Sequence, residues 1–134
     1  MANALYPLWK EQLLQFTTNN NLSAGTVKVA LIDTGTYTYS AAHQFWSSAS
    51  AAAIGTPQTL GTKTFTTGTF DAADSTFTAV SGATVEALII YIDTGVATTS
   101  PLVAYIDTGV TNLPVTPNGG DIGITWNASG IFTL

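Results

Sequence analysis

From residue 6 the chain reads YPLWKEQLLQF, and its apolar positions Tyr6, Trp9, Leu13 and Phe16 recur at helical spacing. Pro7 suits a first helical turn, and Lys10, Glu11, Gln12 and Gln15 fall largely on the other side. The spacing predicts an amphipathic helix over about 6–16, stopped by the Thr/Asn run at 17–21. The period then changes to two. Val27, Val29 and Leu31 alternate with Lys28, Ala30 and Ile32, and further strands are predicted at 62–70, 75–80, 85–93, 102–107, 121–127 and 131–134. Gly, Asp, Asn or Pro punctuates nearly every junction. The stretch at 40–53 is ambiguous: Ser40 could cap a short helix over 41–47, or the Ala/Ser run could form an irregular crossing loop.

Short strands separated by turns, without the helices of βαβ units, predict a mainly β fold. The expected architecture is an antiparallel β-sandwich, jelly-roll-like or barrel-like, over about 26–134, with the N-terminal helix lying against it. The 134 residues fit a single domain, 1–134. The near-repeat YIDTGV, at residues 91 and 105, occurs as a pair and reads as two neighbouring strands of similar use.

Charged residues make up only 8% of the chain, against roughly 25% in an ordinary soluble protein. There is no arginine, Lys10, Lys28 and Lys63 are the only lysines, and the net charge is -5, which disfavours nucleic-acid binding. The absence of cysteine removes disulfides, thiolate metal sites and a cysteine nucleophile. The most apolar window, 85–92, is about half the length of a membrane helix, and the N-terminus lacks the basic-then-apolar order of a secretion signal. The expectation is a soluble, unprocessed protein that does not enter a membrane.

Asp-Thr-Gly occurs three times, at Asp33 to Gly35, Asp93 to Gly95 and Asp107 to Gly109. Aspartic proteases carry their catalytic carboxylates on such triplets, which meet across a twofold axis and share a proton. Asp93 and Asp107 are too close in sequence to occupy two symmetric lobes. Asp33 would suit a dimeric protease, but only AAIG at 52–55 faintly matches the supporting segment. The stronger reading is turn formation: Asp accepts backbone hydrogen bonds from two residues on, and Gly takes positive φ freely. His43, the sole histidine, has no Gly-x-Ser-x-Gly elbow to serve. Asp71, Asp74 and Asp121 could approach a calcium ion, but their spacing lacks the alternating ligands of a dedicated loop. TPNGGD at 116–121 has glycines but no following helix or lysine for phosphate. No enzyme activity, cofactor or metal is expected. Asn21 and Asn127 head glycosylation-type triplets that matter only on a eukaryotic secretory route, and Trp9, Trp46 and Trp126 could stack on sugars but suit a core better.

VEALIIYID is apolar on both faces, with Ala87, Ile89 and Tyr91 on one and Leu88, Ile90 and Ile92 on the other, and LVAYI at Leu102 to Ile106 repeats the property. One three-turn helix covers only part of such a sheet. The remaining cover is expected from neighbouring subunits, consistent with a Thr/Ser/Ala surface nearly devoid of charge. Tyr6, Trp9, Leu13, Phe16, Trp46, Leu88, Ile90, Ile92, Leu102 and Ile106 are the candidate packing or interface residues. The helix face is expected to be the lid of the fold rather than an anchor.

The order and wording of YPLWKEQLL, VKVALIDTGTYTYSAAHQFW, FDAADSTFTAVSGATVEALIIYIDTG, SPLVAYID, LPVTPNGGDIGITWN and the closing IFTL resembles small virion structural proteins of tailed bacteriophages, over nearly the whole chain. The resemblance implies a non-enzymatic virion protein, most often a capsid decoration or cement protein that bridges capsomers. Its implied partners are further copies of itself, a trimer in first place, and virion proteins such as the major capsid protein. Relatives often carry charges where this chain has Thr or Ala, around 90–96 and 127–131. A tail or fibre component that binds host glycans is the alternative, and a protease built on Asp-Thr-Gly the remote one.

Overall fold

The most apolar stretches of the sequence become the middle of one antiparallel sheet. The computed structural model describes residues 3–134. In chain order its elements are β1 (Ala4–Leu5), α1 (Pro7–Leu14), β2 (Thr26–Ile32), β3 (Ala53–Thr59), β4 (Thr69–Phe70), β5 (Ser75–Phe77), β6 (Ala87–Asp93), β7 (Leu102–Ile106), β8 (Ile122–Ile124) and β9 (Phe132–Thr133). The main sheet has the order β1-β7-β6-β2-β3, while β4 pairs with β9 and β5 with β8. The fold is therefore mainly β and antiparallel, with one α-helix. The strands outside the main sheet form two-stranded ribbons, not a second sheet of similar extent.

Register explains why β6 is apolar throughout. Val27, Val29 and Leu31 stand opposite Ile92, Ile90 and Leu88, and Ala30 and Ile32 stand opposite Ile89 and Ala87 on the other face. Every residue from Ala87 to Ile92 and from Leu102 to Ile106 is buried. The chain itself supplies this cover, which corrects the expectation that neighbouring subunits hide what the helix leaves open. On that face the indole of Trp46 lies parallel to the Tyr91 ring, with centroids 4.2 Å apart. Tyr37 and Tyr39 pack near Tyr105 at 6.3 and 5.5 Å. Elsewhere, the Trp9 ring meets Phe132 edge-on at 5.9 Å, and Phe132 packs on Phe70 at 5.3 Å. Phe132 and Ile131 in turn line one crevice with Leu5, Ala104 and Ile106. Segments outside the main sheet thus carry aromatics that help to close it.

The helix is shorter than its apolar spacing predicts, and its predicted stripe does not form one buried face. Tyr6 is the N-cap, Pro7 opens the helix, and Gln15 is the C-cap. Tyr6 and Trp9 are buried, Leu13 is half-buried, and Phe16 is 96% exposed. The reason lies in the helix stop. Phe16 N–H donates to Leu13 O at 3.2 Å and Thr17 N–H to Gln12 O at 3.1 Å, the paired bonds of a Schellman motif. That motif needs a left-handed residue, and Phe16 takes φ +57°. The chain then leaves the helix axis before the side chain can turn inward.

The alternative left open at 40–53 is decided, and the strands predicted at 75–80 and 121–127 shorten to β5 and β8. No helix forms at 41–47, although Ser40 Oγ accepts the Ala42 N–H at 3.2 Å; short 3₁₀ turns occur instead at Trp46–Ser48 and Ser50–Ala52. The tail of the Ala/Ser run becomes the edge strand β3. The strand predicted at 62–70 shrinks to β4, because Thr62 and Thr67 adopt φ +50° and +55° and fold the chain back. Both sheet edges are blunted: β1 has two residues, and β3 carries Gly55 at φ +70° and Pro57, which has no N–H to offer a further strand.

Candidate functional site

The three Asp-Thr-Gly triplets end strands. β6 and β7 are antiparallel neighbours, so Asp93 and Asp107 lie at opposite ends of one hairpin, while Asp33, after β2, lies at the same end as Asp107. Asp33 Oδ1 accepts the Gly35 N–H at 2.8 Å and its Oδ2 the Thr36 hydroxyl at 2.8 Å. Asp93 Oδ1 accepts the Gly95 N–H at 2.9 Å, and its Oδ2 pairs with Lys28 Nζ at 2.9 Å. The hydrogen bond from Lys28 and that from Gly95 hold the Asp93 carboxyl below its ordinary range. A protease dyad needs the reverse, one carboxyl retaining a shared proton. At the third triplet Asn3 Oδ1 accepts the N–H groups of Asp107 and Thr108 at 2.7 and 3.0 Å, and Gly95 and Gly109 take φ +90° and +75°. These six residues, Asp33, Gly35, Asp93, Gly95, Asp107 and Gly109, therefore sit where turn chemistry places them.

The other candidate groups are engaged in the fold. Asp74 and Asp121 accept the backbone N–H groups of Trp126 and Ala79, each at 3.0 Å, and Asp71 accepts that of Ala72 at 2.9 Å. Among the described residues no group of three or more His, Cys, Asp or Glu side chains is placed to hold a metal ion. His43 Nδ1 lies 3.0 Å from the Tyr37 hydroxyl, which in turn bonds the Tyr6 hydroxyl at 2.8 Å. Burial raises the Tyr6 hydroxyl far above the usual phenol range, so it stays protonated, and the hydrogen-bonded series ties the helix N-terminus to the 37–43 loop.

Of the candidate packing or interface residues, Tyr6, Trp9, Trp46, Leu88, Ile90, Ile92, Leu102 and Ile106 belong to the buried core. They hold the fold and are not available to a partner. Leu13 and Phe16 remain, and around them lies an open groove of about 610 Å³ beside the helix C-terminus. Leu13, Phe16, Phe65 and Leu134 give it apolar walls, and Thr17, Asn20 and Asn21 its polar lip. No charged side chain lines it. The nearby Lys63 is turned to the loop backbone, where its Nζ donates to Leu22 O at 2.7 Å and Gly25 O at 2.8 Å. Leu14, on the adjoining helix surface, is 89% exposed.

Two polar atoms of the groove residues have no hydrogen-bond partner among the described residues: Trp9 Nε1 and Asn20 Oδ1. The Asn20 amide nitrogen is fully used, bonding Thr17 Oγ1 at 2.5 Å and Thr18 O at 3.0 Å. Sequence reasoning named Phe16 and Leu13 but missed Leu14, Asn20, Phe65 and Leu134. Leu14 was discoverable, since it is a large apolar residue on the polar side of the helical stripe. The others come together only through tertiary structure.

The sequence matches no family model and no curated protein.

Proposed function

We propose that this chain is a non-enzymatic structural protein of a bacteriophage virion, a capsid decoration or cement protein that docks through the exposed apolar end of its helix. The observation that carries the reading is Phe16. A left-handed helix stop is ordinarily a glycine, because a side chain there costs about 1–2 kcal/mol. Here a phenylalanine occupies it with 96% of its surface in solvent, next to an exposed Leu14, on a fold that otherwise seals its own core. Such a patch is a burden to a free monomer and an anchor in an assembly. The helix is thus a lid at Tyr6 and Trp9 and an anchor at Leu14 and Phe16.

The blunted sheet edges favour side-chain docking over strand addition, and low charge suits a subunit packed among neighbours. Many copies, each burying a modest apolar area, would hold a shell through multivalency. Self-assembly, with a trimer as the first candidate, and contact with the major capsid protein belong to the same reading, which the sequence resemblance motivates. The test is addition of purified protein to capsids assembled without it, followed by co-sedimentation. Wild type is expected to co-sediment, and Phe16→Ser to lose at least tenfold in binding while keeping its fold. Failure of the wild type to bind, or equal binding by the variant, would count against the reading.

One observation favours a second reading, a tail or fibre component that binds host glycans: Phe16 and Phe65 expose aromatic rings on loops rich in Thr and Asn. Glycan-array binding by the isolated protein, without capsid binding, would select it.

A further inference from the structure

We propose that the groove beside the helix C-terminus binds an uncharged, apolar peptide segment of another polypeptide, with a backbone carbonyl accepting from Trp9 Nε1–H and a backbone N–H donating to Asn20 Oδ1. The inference rests on the reading of this face as the docking face and names the chemistry of what docks. Trp9 and Asn20 are only 1% and 4% exposed, and each leaves one polar atom unpaired. A buried donor and a buried acceptor without partners are each costly, and both belong to residues that line this groove. One is a neutral donor and the other a neutral acceptor. A peptide backbone offers the complement of both.

The walls specify the remainder of the segment. Leu13, Phe16, Phe65 and Leu134 are apolar, and no charged side chain lines the groove. A charged segment would lose hydration there without gaining a counter-charge. The volume of about 610 Å³ lies within the range of pockets that bury a small ligand or a short peptide.

Both unpaired atoms lie beneath the groove surface, and a segment reaches them when the 16–20 turn shifts. That turn contains two non-glycine residues in the left-handed region, Phe16 at φ +57° and Asn19 at φ +67°.

The experiment uses the full chain and nitrogen–proton correlation spectra, in which the indole N–H signals of Trp9, Trp46 and Trp126 report separately. The probe is the capped dipeptide N-acetyl-leucyl-phenylalanine amide, compared with its ester analogue lacking the central N–H. The dipeptide is expected to shift the Trp9 signal saturably, leaving those of Trp46 and Trp126 in place. The ester, and Asn20→Leu with the dipeptide, should each bind about tenfold more weakly. No Trp9 shift up to the solubility limit of the probe, or equal binding of ester and amide by the wild type, would overturn the proposal. So would a Trp9 shift produced only by chitin oligosaccharides, which would assign the groove to sugar, or only by raising protein concentration, which would assign it to a second copy. Capsid binding is read separately: capsids that bind through Phe16 while the dipeptide does nothing sink this inference and leave the docking face standing.

Discussion

Phe16 shows how one residue can oppose its own helix. As the left-handed residue of the Schellman motif it gains nothing from burial, and its Cβ is crowded in a conformation that glycine adopts freely. Replacing it by glycine relieves that crowding and adds some unfolded-state freedom, so the two effects oppose. Relief is the larger. Phe16→Gly is therefore expected to raise stability by about 0.5–1 kcal/mol in urea denaturation, while abolishing docking. A loss of stability would mean that the ring packs against the fold and is not held out for a partner.

The junction of β2 with β6 has a comparable local determinant. Thr26 stands opposite Asp93 and Lys28 opposite Tyr91, which brings Lys28 Nζ to the Asp93 carboxylate across the end of the pair. Because the folded-state pKa of Asp93 is lowered, its contribution is present above the ordinary aspartate value of about 3.9 and is lost as pH falls through the lower, folded value. The pair is partly exposed, so the expected effect of Asp93→Asn is about 0.5–1 kcal/mol at neutral pH. The difference from wild type should shrink on acidification below about pH 4 and also in high salt. A difference independent of pH would show that the Asp93 charge, and with it the pair with Lys28, contributes nothing to stability.

Legibility at the level of elements followed pattern strength. The run that became β2 was readable from its period of two, and those that became β6 and β7 because a short run apolar on both faces, with turn residues at its ends, is the mark of a strand buried on both sides. Strand β3, with the sequence AIGTPQT, was not readable, since an edge strand need not be apolar and Gly55 and Pro57 read as loop. The threonines at 62–67 misled in the opposite direction: β-branched residues suggested a strand, and left-handed φ at Thr62 and Thr67 ended it. The turns at Asp33 and Asp93 were legible from local chemistry, whereas the third triplet is held by Asn3, which lies far away in sequence. The groove was not legible, because its walls come from segments near residues 13, 65 and 134 that no local pattern connects.

At the scale of the whole molecule, a two-sided apolar strand states that both faces are covered and leaves open what covers them. Here the cover is aromatic and intramolecular, and tyrosine makes it testable by pH. Tyr6, Tyr37, Tyr91 and Tyr105 all have hydroxyls raised above the ordinary value of 10.0, with desolvation as the first cause. Tyr91, stacked under Trp46 and near Asp93, is pushed up to about 12, and Tyr6 lies higher. A raised folded value means that the folded state holds protons the unfolded chain releases. The stability these groups contribute is thus complete below pH 10 and is lost as pH rises through the folded values, by up to about 1.4 kcal/mol per pH unit for each fully protected group. Stability should therefore be level on the neutral side and fall steeply above pH 10. Tyrosinate absorbance should rise together with loss of near-ultraviolet circular dichroism, in one cooperative step. Gradual ionisation of these tyrosines from pH 10, with the aromatic dichroism intact, would show that the sheet face is open to water, and the case for outside chains covering it would return.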